Sequence, residues 1–165
     1  MPDQVISKND FNVMTVTPTV SASAIYAAND QVGGIMEFTG ILGEGRVGQL
    51  VYVSLYDKAL QSAVIQVFLF HTLPTIGSID NGASTMTAAE GTKLMAAFSF
   101  VNAGYLQFGT PGFTNFPTIS NAYFPQSIYT KNPGGTVWAV MKTTGTPTYA
   151  STSDLTLTLG VILGV

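Results

Sequence analysis

The segment Leu155-Thr156-Leu157-Thr158-Leu159 decides the fold class, because apolar and polar residues alternate along it without interruption. Alternation of this kind places every second side chain on one side of an extended chain, as in a half-buried β-strand. Leu155, Leu157, Leu159 and Val161 are therefore predicted to face a core. A strand this regular is expected to be inserted in a sheet.

The same β pattern recurs along the chain, in short runs rich in β-branched and aromatic residues and separated by Gly, Pro, Asn and Asp. These runs predict strands over 35–38, 49–57, 63–71, 94–101, 105–108, 136–141 and 155–159. In the second of them, Val51, Val53 and Leu55 are predicted to lie on one face and Leu50, Tyr52 and Tyr56 on the other. One of these faces is expected to face the core and the other to be covered or aromatic.

Residues 63–71 are apolar on both faces except at Gln66, which predicts the most buried strand. One short helix is predicted over 87–93, with Thr87 as its N-cap and Glu90 three residues later. About eight strands without helical crossovers predict an all-β sandwich, with a jelly roll as the expected topology. A closed barrel is the alternative.

The first 23 residues differ from the rest, because they are extended by propensity, contain Pro18 and hold few bulky side chains. We predict an extended N-terminal arm over residues 1–23 and a single sandwich domain over residues 24–165. Four residues of the arm are predicted to contact other subunits: Val13, Thr15, Val16 and Val20.

The composition narrows the possible partners. Of the 165 residues, 46% are hydrophobic and only 9% are charged, against about 25% charged in a typical soluble domain. The six Lys and Arg residues are spread singly and the net charge is −3, so neither nucleic acid nor an anionic membrane is expected as a partner. We expect much of the surface to be neutral or covered by copies of the chain and other proteins.

The residues for catalysis or metal binding are few. The chain has no cysteine and one histidine, His71, so a zinc site would have to rest on carboxylates, and we interpret His71 as a surface residue at a strand end. No Gly-x-Ser-x-Gly motif is present, and the glycine-rich loop 40–48 lacks the Lys-Ser/Thr ending of a phosphate-binding loop. The acidic residues mark turns. No enzyme activity, metal or cofactor is expected.

A turn-rich stretch over 109–135 carries aromatic residues that are candidates for surface contacts. They are Phe113, Phe116, Tyr123, Phe124 and Tyr129. Such side chains stack on sugar rings in many lectins, but they more often fill a core or a protein interface, which is the interpretation preferred here. Tyr52, Tyr56 and Trp138 are open to the same two interpretations.

Two segments, 13–34 and 145–160, resemble a family of small structural proteins of tailed bacteriophages. The first opens with Val13-Met14-Thr15-Val16-Thr17-Pro18-Thr19-Val20, and the second runs from Gly145-Thr146-Pro147 into Leu155-Thr156-Leu157-Thr158-Leu159. The order of a strand over 49–57, a loop with Lys58 and a strand over 63–70 is also similar to that family. The first seven residues and the stretch 109–135 depart from it.

The resemblance implies a capsid decoration or cement protein on the outside of the virion. Proteins of this kind are jelly-roll-like sandwiches that assemble as dimers or trimers and bind over joints between major capsid subunits. The resemblance supplies no catalytic residue. The alternative hypothesis is a head or tail appendage that binds a glycan or a receptor through the aromatic stretch 113–129.

Overall fold

A computed structural model describes residues 11–44, 47–77, 79–107, 113–115 and 126–163. In this part of the chain it contains ten strands, one four-residue helix and a 3-10 turn over Asn102–Gly104. The strands are β1 (Phe11–Val16), β2 (Met36–Phe38), β3 (Val47–Asp57), β4 (Ile65–Phe70), β5 (Leu94–Phe100), β6 (Tyr105–Gln107), β7 (Phe113–Asn115), β8 (Gln126–Tyr129), β9 (Val137–Thr143) and β10 (Leu155–Leu163), and the helix is α1 (Ala88–Gly91).

The strands form two antiparallel sheets that pack face to face. One sheet has six strands in the order β1, β10, β3, β7, β6, with β8 also paired to β3, and the other has the order β2, β9, β4, β5. The eleven-residue β3 pairs with β8 through its first four residues and with β7 through its last three. The predicted all-β sandwich is confirmed, while the jelly-roll topology stays a prediction.

Strand β10 lies in the middle of the six-stranded sheet, between β1 and β3. Its apolar positions are fully buried in the core between the sheets, as the alternation predicted: Leu155, Leu157, Leu159 and Val161. Burial of these side chains supplies the hydrophobic free energy that fixes the strand, since a one-residue slip would turn all of them to the other face.

A β-bulge changes the predicted facing of β3. Gly160 of β10 pairs with Tyr52, whereas the next residue, Val161, pairs with Leu50, so Val51 has no partner across the ladder. The extra residue lets Leu50 and Val53 both point into the core, although they are three positions apart. The prediction that Leu50 and Val53 lie on opposite faces of the strand is therefore wrong.

The most buried strand is β9 rather than β4, which corrects the prediction for residues 63–71. Every residue of β9 except Lys142 is buried, because the strand lies inside the four-stranded sheet and both of its faces are covered. Strand β4 is also internal, and Phe70 is buried on its outer side, but Gln66 and Phe68 remain half-buried.

Helix α1 forms where the sequence predicted it. Thr87 is the N-cap, and its hydroxyl accepts a hydrogen bond from the Glu90 backbone N–H at 3.4 Å. The Glu90 carboxylate does not return to the cap. Instead it accepts a hydrogen bond from the Thr75 backbone N–H at 3.0 Å and pairs with Lys93 Nζ at 3.0 Å, which ties the loop after β4 to the helix.

The N-terminal segment corrects the predicted arm. All six residues of β1 pair with β10, and the following segment is bonded to the domain through the Val20 N–H, which donates to the Thr152 carbonyl at 3.1 Å. Residues 11–23 therefore belong to the sandwich, and the predicted boundary at residue 23 is wrong. Residues 1–10 of the predicted arm lie outside the described residues.

Candidate functional site

The outer face of the six-stranded sheet is the candidate site, and we call the part formed by β1, β10, β3 and β8 the open face. The only charged residue in these four strands is Asp57, which is buried. Directly paired residues of an antiparallel ladder point to the same side, so the register defines rows of side chains across this face. One row runs through Val13, Gly160 and Tyr52, and the next through Thr15, Thr158 and Ser54.

The first row is apolar and aromatic, and Phe11, which pairs with Ile162 in the adjacent row, lies beside it. Phe11 is 56% exposed, Val13 is 54% exposed and Tyr52 is 36% exposed. The Phe11 ring lies over Gly160, because a Cβ built on that glycine would come within 3.1 Å of the ring and 2.8 Å of Tyr52 Cβ. The absence of a side chain at Gly160 thus lets the end of the Phe11 ring approach the sheet beside Tyr52.

The second row is polar but uncharged. The Thr15 and Thr158 hydroxyl oxygens are 3.0 Å apart, and the next pair, Thr17 and Thr156, are 3.2 Å apart. Hydroxyl groups that are already paired lose little when water is removed from them. This row can therefore be covered by another protein without leaving an uncompensated charge.

At the β8 end of the open face, Tyr129 is 46% exposed and its ring stacks on His71, with ring centroids 4.9 Å apart and an interplanar angle of 21°. His71 itself is buried, which corrects the prediction of a surface histidine. Its Nε2 lies 3.3 Å from the Thr92 carbonyl, which only accepts, so Nε2 donates. Nδ1 then accepts from the Thr72 hydroxyl at 2.8 Å.

The predicted arm contacts divide between the surface and the core. Val13 and Thr15 lie on the open face, whereas Val16 packs against the core and Val20 is 1% exposed within it. The prediction that Val20 contacts another subunit is wrong for this fold, because its side chain is buried, whereas the prediction for the half-buried Val16 stays a prediction. The period of two in β1 separates the outward pair from Val16, and the chain then turns Val20 into the core.

The predicted aromatic contacts are described only in part. Tyr129 is on the open face and Phe113 begins β7, while Phe116, Tyr123 and Phe124 lie outside the described residues. Trp138 is buried on the outer side of the other sheet, where it packs with Phe70, so it has a structural role. Sequence reasoning did not select Phe11, whose exposure follows from the same period of two that places Val13 and Thr15 outward.

The buried carboxylates have local structural partners. The two Asp57 oxygens accept hydrogen bonds from the backbone N–H groups of Ala59 at 3.0 Å and Ser62 at 2.9 Å, and burial raises the pKa of this carboxyl. Asp154 accepts two backbone N–H groups in the same way, from Ala150 and Ser151, both at 2.8 Å. These contacts agree with the prediction that the acidic residues mark turns.

A groove of about 590 Å³ lies beside the ends of β1 and β2, lined by residues 16–21 and 34–37 together with Ile79 and Asp80. The Asp80 carboxylate in this groove accepts three hydrogen bonds. The donors are the Ser21 hydroxyl at 2.5 Å, the Tyr26 hydroxyl at 2.7 Å and the Gly33 N–H at 2.6 Å. These hydrogen bonds connect the segment after β1 to the loop after β4, so Asp80 has a structural role.

Within the described ranges, no group of three or more His, Asp or Glu side chains is placed to hold a metal ion. None of the helical structure in those ranges is long and apolar enough to cross a bilayer. No protein-family model matches the chain, and no curated protein matches it.

Proposed function

We propose that the protein is a non-enzymatic virion structural protein of the decoration or cement type. In this proposal the open face binds the outside of a capsid over joints between major capsid subunits and stabilises the shell. The observation that carries the proposal is an uncharged sheet face with exposed aromatic and aliphatic side chains, centred on Val13 and Tyr52. The resemblance of segments 13–34 and 145–160 to phage structural proteins points the same way.

The size of the open face suits a protein partner. Four strands about 4.8 Å apart and about eight residues long at 3.4 Å each cover on the order of 500 Å² of flat surface. Specific interfaces bury about 800 Å² on each partner, so the open face and its rim supply most of a standard interface. Exposed apolar side chains clustered on one part of such a face, beside polar neighbours, are typical of a protein-binding surface.

The absence of charge on the open face favours a permanent partner over a steered, salt-sensitive one. Salt screens the attraction between charged groups at an exposed interface, whereas the free energy of burying apolar surface does not depend on charge pairs. A shell component has to stay bound in changing ionic conditions, and the composition of this face meets that requirement.

The proposal is tested with capsids that lack the protein, by co-sedimentation with added purified chain. Tyr52→Lys places a charge in the middle of the open face and is expected to abolish binding. Leu73→Lys is the control, because Leu73 is 54% exposed, more than the 36% of Tyr52, but follows β4 of the other sheet. Both variants are first checked by thermal melting. Unchanged binding of a folded Tyr52→Lys protein contradicts the proposal.

A second candidate, binding of a glycan or receptor by a head or tail appendage, is favoured by one observation. The exposed Tyr129 ring is held flat by its stacking on His71, which is the preorganisation that sugar stacking requires. A glycan array with the full chain tests this candidate. Signals that disappear in Tyr129→Ala support it, and an array without signals counts against it.

A further inference from the structure

The groove beside the ends of β1 and β2 is a candidate binding site that the proposed function does not use. Its volume of about 590 Å³ falls within the range of about 300–1,000 Å³ that is typical of ligand pockets. Thr17, whose hydroxyl pairs with that of Thr156, also lines the groove. The groove is therefore continuous with the polar row of the open face.

The walls of the groove are held together by contacts within the chain. Pro18 packs directly on Gly33, since a Cβ built on that glycine would lie 2.5 Å from Pro18 Cβ. Gln31 Nε2 donates to the Gly33 carbonyl at 3.1 Å and to the Ile79 carbonyl at 3.3 Å, which ties the two sides together behind the groove. A preformed groove loses little free energy to ordering when a ligand binds.

The groove carries negative charge. Glu37 and Asp80 both line it, and no Lys, Arg or His is found among its described lining residues. Glu37 is exposed, and the one ion pair in the described part of the chain joins Lys93 to Glu90, so no described cation neutralises the Glu37 carboxylate. A cleft lined by one sign of charge attracts groups of the opposite sign, which here are cations.

The far end of the groove is apolar. Ile35 and Ile79 line both the groove and a second hollow of about 350 Å³, whose other described lining residues are Pro74, Thr75 and Ile76. Ile79 is 81% exposed, the highest value among the large hydrophobic residues described. Covering such a side chain is favourable, because it removes apolar surface from water.

We propose that the groove binds an extended segment of a partner protein in which a Lys or Arg lies next to apolar residues. The cationic side chain pairs with Glu37, and the apolar residues cover Ile79 and enter the second hollow. Two joined hollows of different chemistry match neighbouring side chains of one peptide, since pockets for successive side chains are a common basis of peptide specificity. This inference goes beyond the proposed function and does not depend on it.

The first test uses the purified full chain on an array of ten-residue peptides. Their central residue is Lys, Arg, Gln or Glu, and its neighbours are Ile, Val or Ser. Signals are expected where Lys or Arg is combined with Ile or Val. An array without signals, or one with equal signals for Lys and Glu, overturns the proposal. Equal signals with apolar and with Ser neighbours also overturn it, because the site then binds only a cation.

A charge-reversal variant locates the cationic group. Glu37→Lys is expected to raise the dissociation constant of the strongest peptide about tenfold, measured by fluorescence anisotropy with a labelled peptide. Glu44→Lys is the matched control, since Glu44 is also exposed but does not line the groove, and unchanged binding is expected. Added salt is expected to weaken binding to the wild type more than binding to Glu37→Gln. Equal binding by the wild type and a folded Glu37→Lys protein overturns the proposal.

A second pair of variants locates the apolar contact. Ile79→Ser is expected to weaken peptide binding about tenfold, because the partner's apolar residues lose the surface that they cover. Ile25→Ser is the control, since Ile25 is 72% exposed but lies outside the groove and the second hollow. Thermal melting verifies that both variants are folded. Unchanged binding by Ile79→Ser, or an equal loss in Ile25→Ser, contradicts the assigned site.

Discussion

The two outer faces of the sandwich both carry apolar side chains, but loops cover these side chains on one face and not on the other. On the outer side of the four-stranded sheet, Phe70, Trp138 and Val140 form a buried cluster, and Ile35 and Ile76 from neighbouring loops pack over it. We call this the closed face. The open face has exposed aromatic and aliphatic side chains of similar size, and no described loop buries Phe11 or Val13.

The difference teaches that exposure of the open face is not a general result of the apolar composition. The connection from β4 to α1 is long enough to cross the closed face and deliver Ile76 to it. Glu90 holds that connection by accepting the Thr75 N–H, one residue before Ile76. The fold thus covers one apolar face with its own loops, whereas within the described ranges the open face keeps its apolar side chains in contact with solvent.

The largest expected effect is on the closed face. Trp138→Ala removes a buried aromatic side chain that packs between Phe70 and Val140, and we expect it to lower the free energy of unfolding by about 3–4 kcal/mol. Tyr52→Ala on the open face is the matched change and is expected to cost about 1 kcal/mol or less, because Tyr52 is already partly in water. Urea denaturation measures both, and equal losses would remove the distinction between the faces.

A second prediction concerns the close packing around Gly160 on the open face. Gly160→Ala brings a methyl group against Tyr52 Cβ and the Phe11 ring, so the ring has to move, and we expect a loss of about 2 kcal/mol. Gly91→Ala is the control, since no atom lies within 4 Å of a Cβ at that position. Thermal melting compares the two variants. A Gly160→Ala protein as stable as the wild type would show that neither Tyr52 nor Phe11 is packed tightly over Gly160.

The smallest expected effect is the pH response of the closed face. Burial acts to raise the pKa of Glu90, but the Thr75 N–H and Lys93 outweigh it and hold the pKa below its ordinary value of 4.5. The folded-state pKa is thus below that of the unfolded chain, so Glu90 stabilises the fold above pH 4.5 and the contribution is lost as the pH falls through the folded-state pKa. We expect a loss of about 1 kcal/mol or less.

Trp138, the one tryptophan, reports this change, because Ile76 packs over its cluster. Fluorescence of the wild type is expected to shift as the pH falls below 4.5, and Glu90→Gln is expected to flatten that response. Glu37→Gln serves as the control, since Glu37 is exposed on β2 next to Trp138 but does not hold the loop. Identical acid responses of the wild type and Glu90→Gln would show that the loop is held by other contacts.

Local patterns were sufficient for much of the fold and little of the site. The alternation over 155–159 predicts β10 and its buried face, and Thr87 with Glu90 predicts α1. The bulge at Val51 could not be predicted, because it depends on how β10 and β3 meet across about one hundred residues. The same holds for β1: its residues lack bulky anchors, and they form a strand only because β10 offers them an edge.

Only part of the candidate site could be predicted from the sequence, for a similar reason. Val13 and Thr15 were selected, but Val16 and Val20 were grouped with them, since an isolated arm has no inside and outside. The stacking of Tyr129 on His71 joins residues from separate segments and leaves no signal in either one. What sequence reasoning lacked was the pairing of distant strands.

The position of β10 between β1 and β3 has a consequence for synthesis on the ribosome. Both neighbours are made early, but the strand that joins them is the last one described, so the six-stranded sheet cannot close until Leu155–Leu163 has left the exit tunnel. Such distant pairing is slow, and until it happens β1 has both edges free. The nascent chain therefore exposes its uncharged β1 to other chains until β10 has been made.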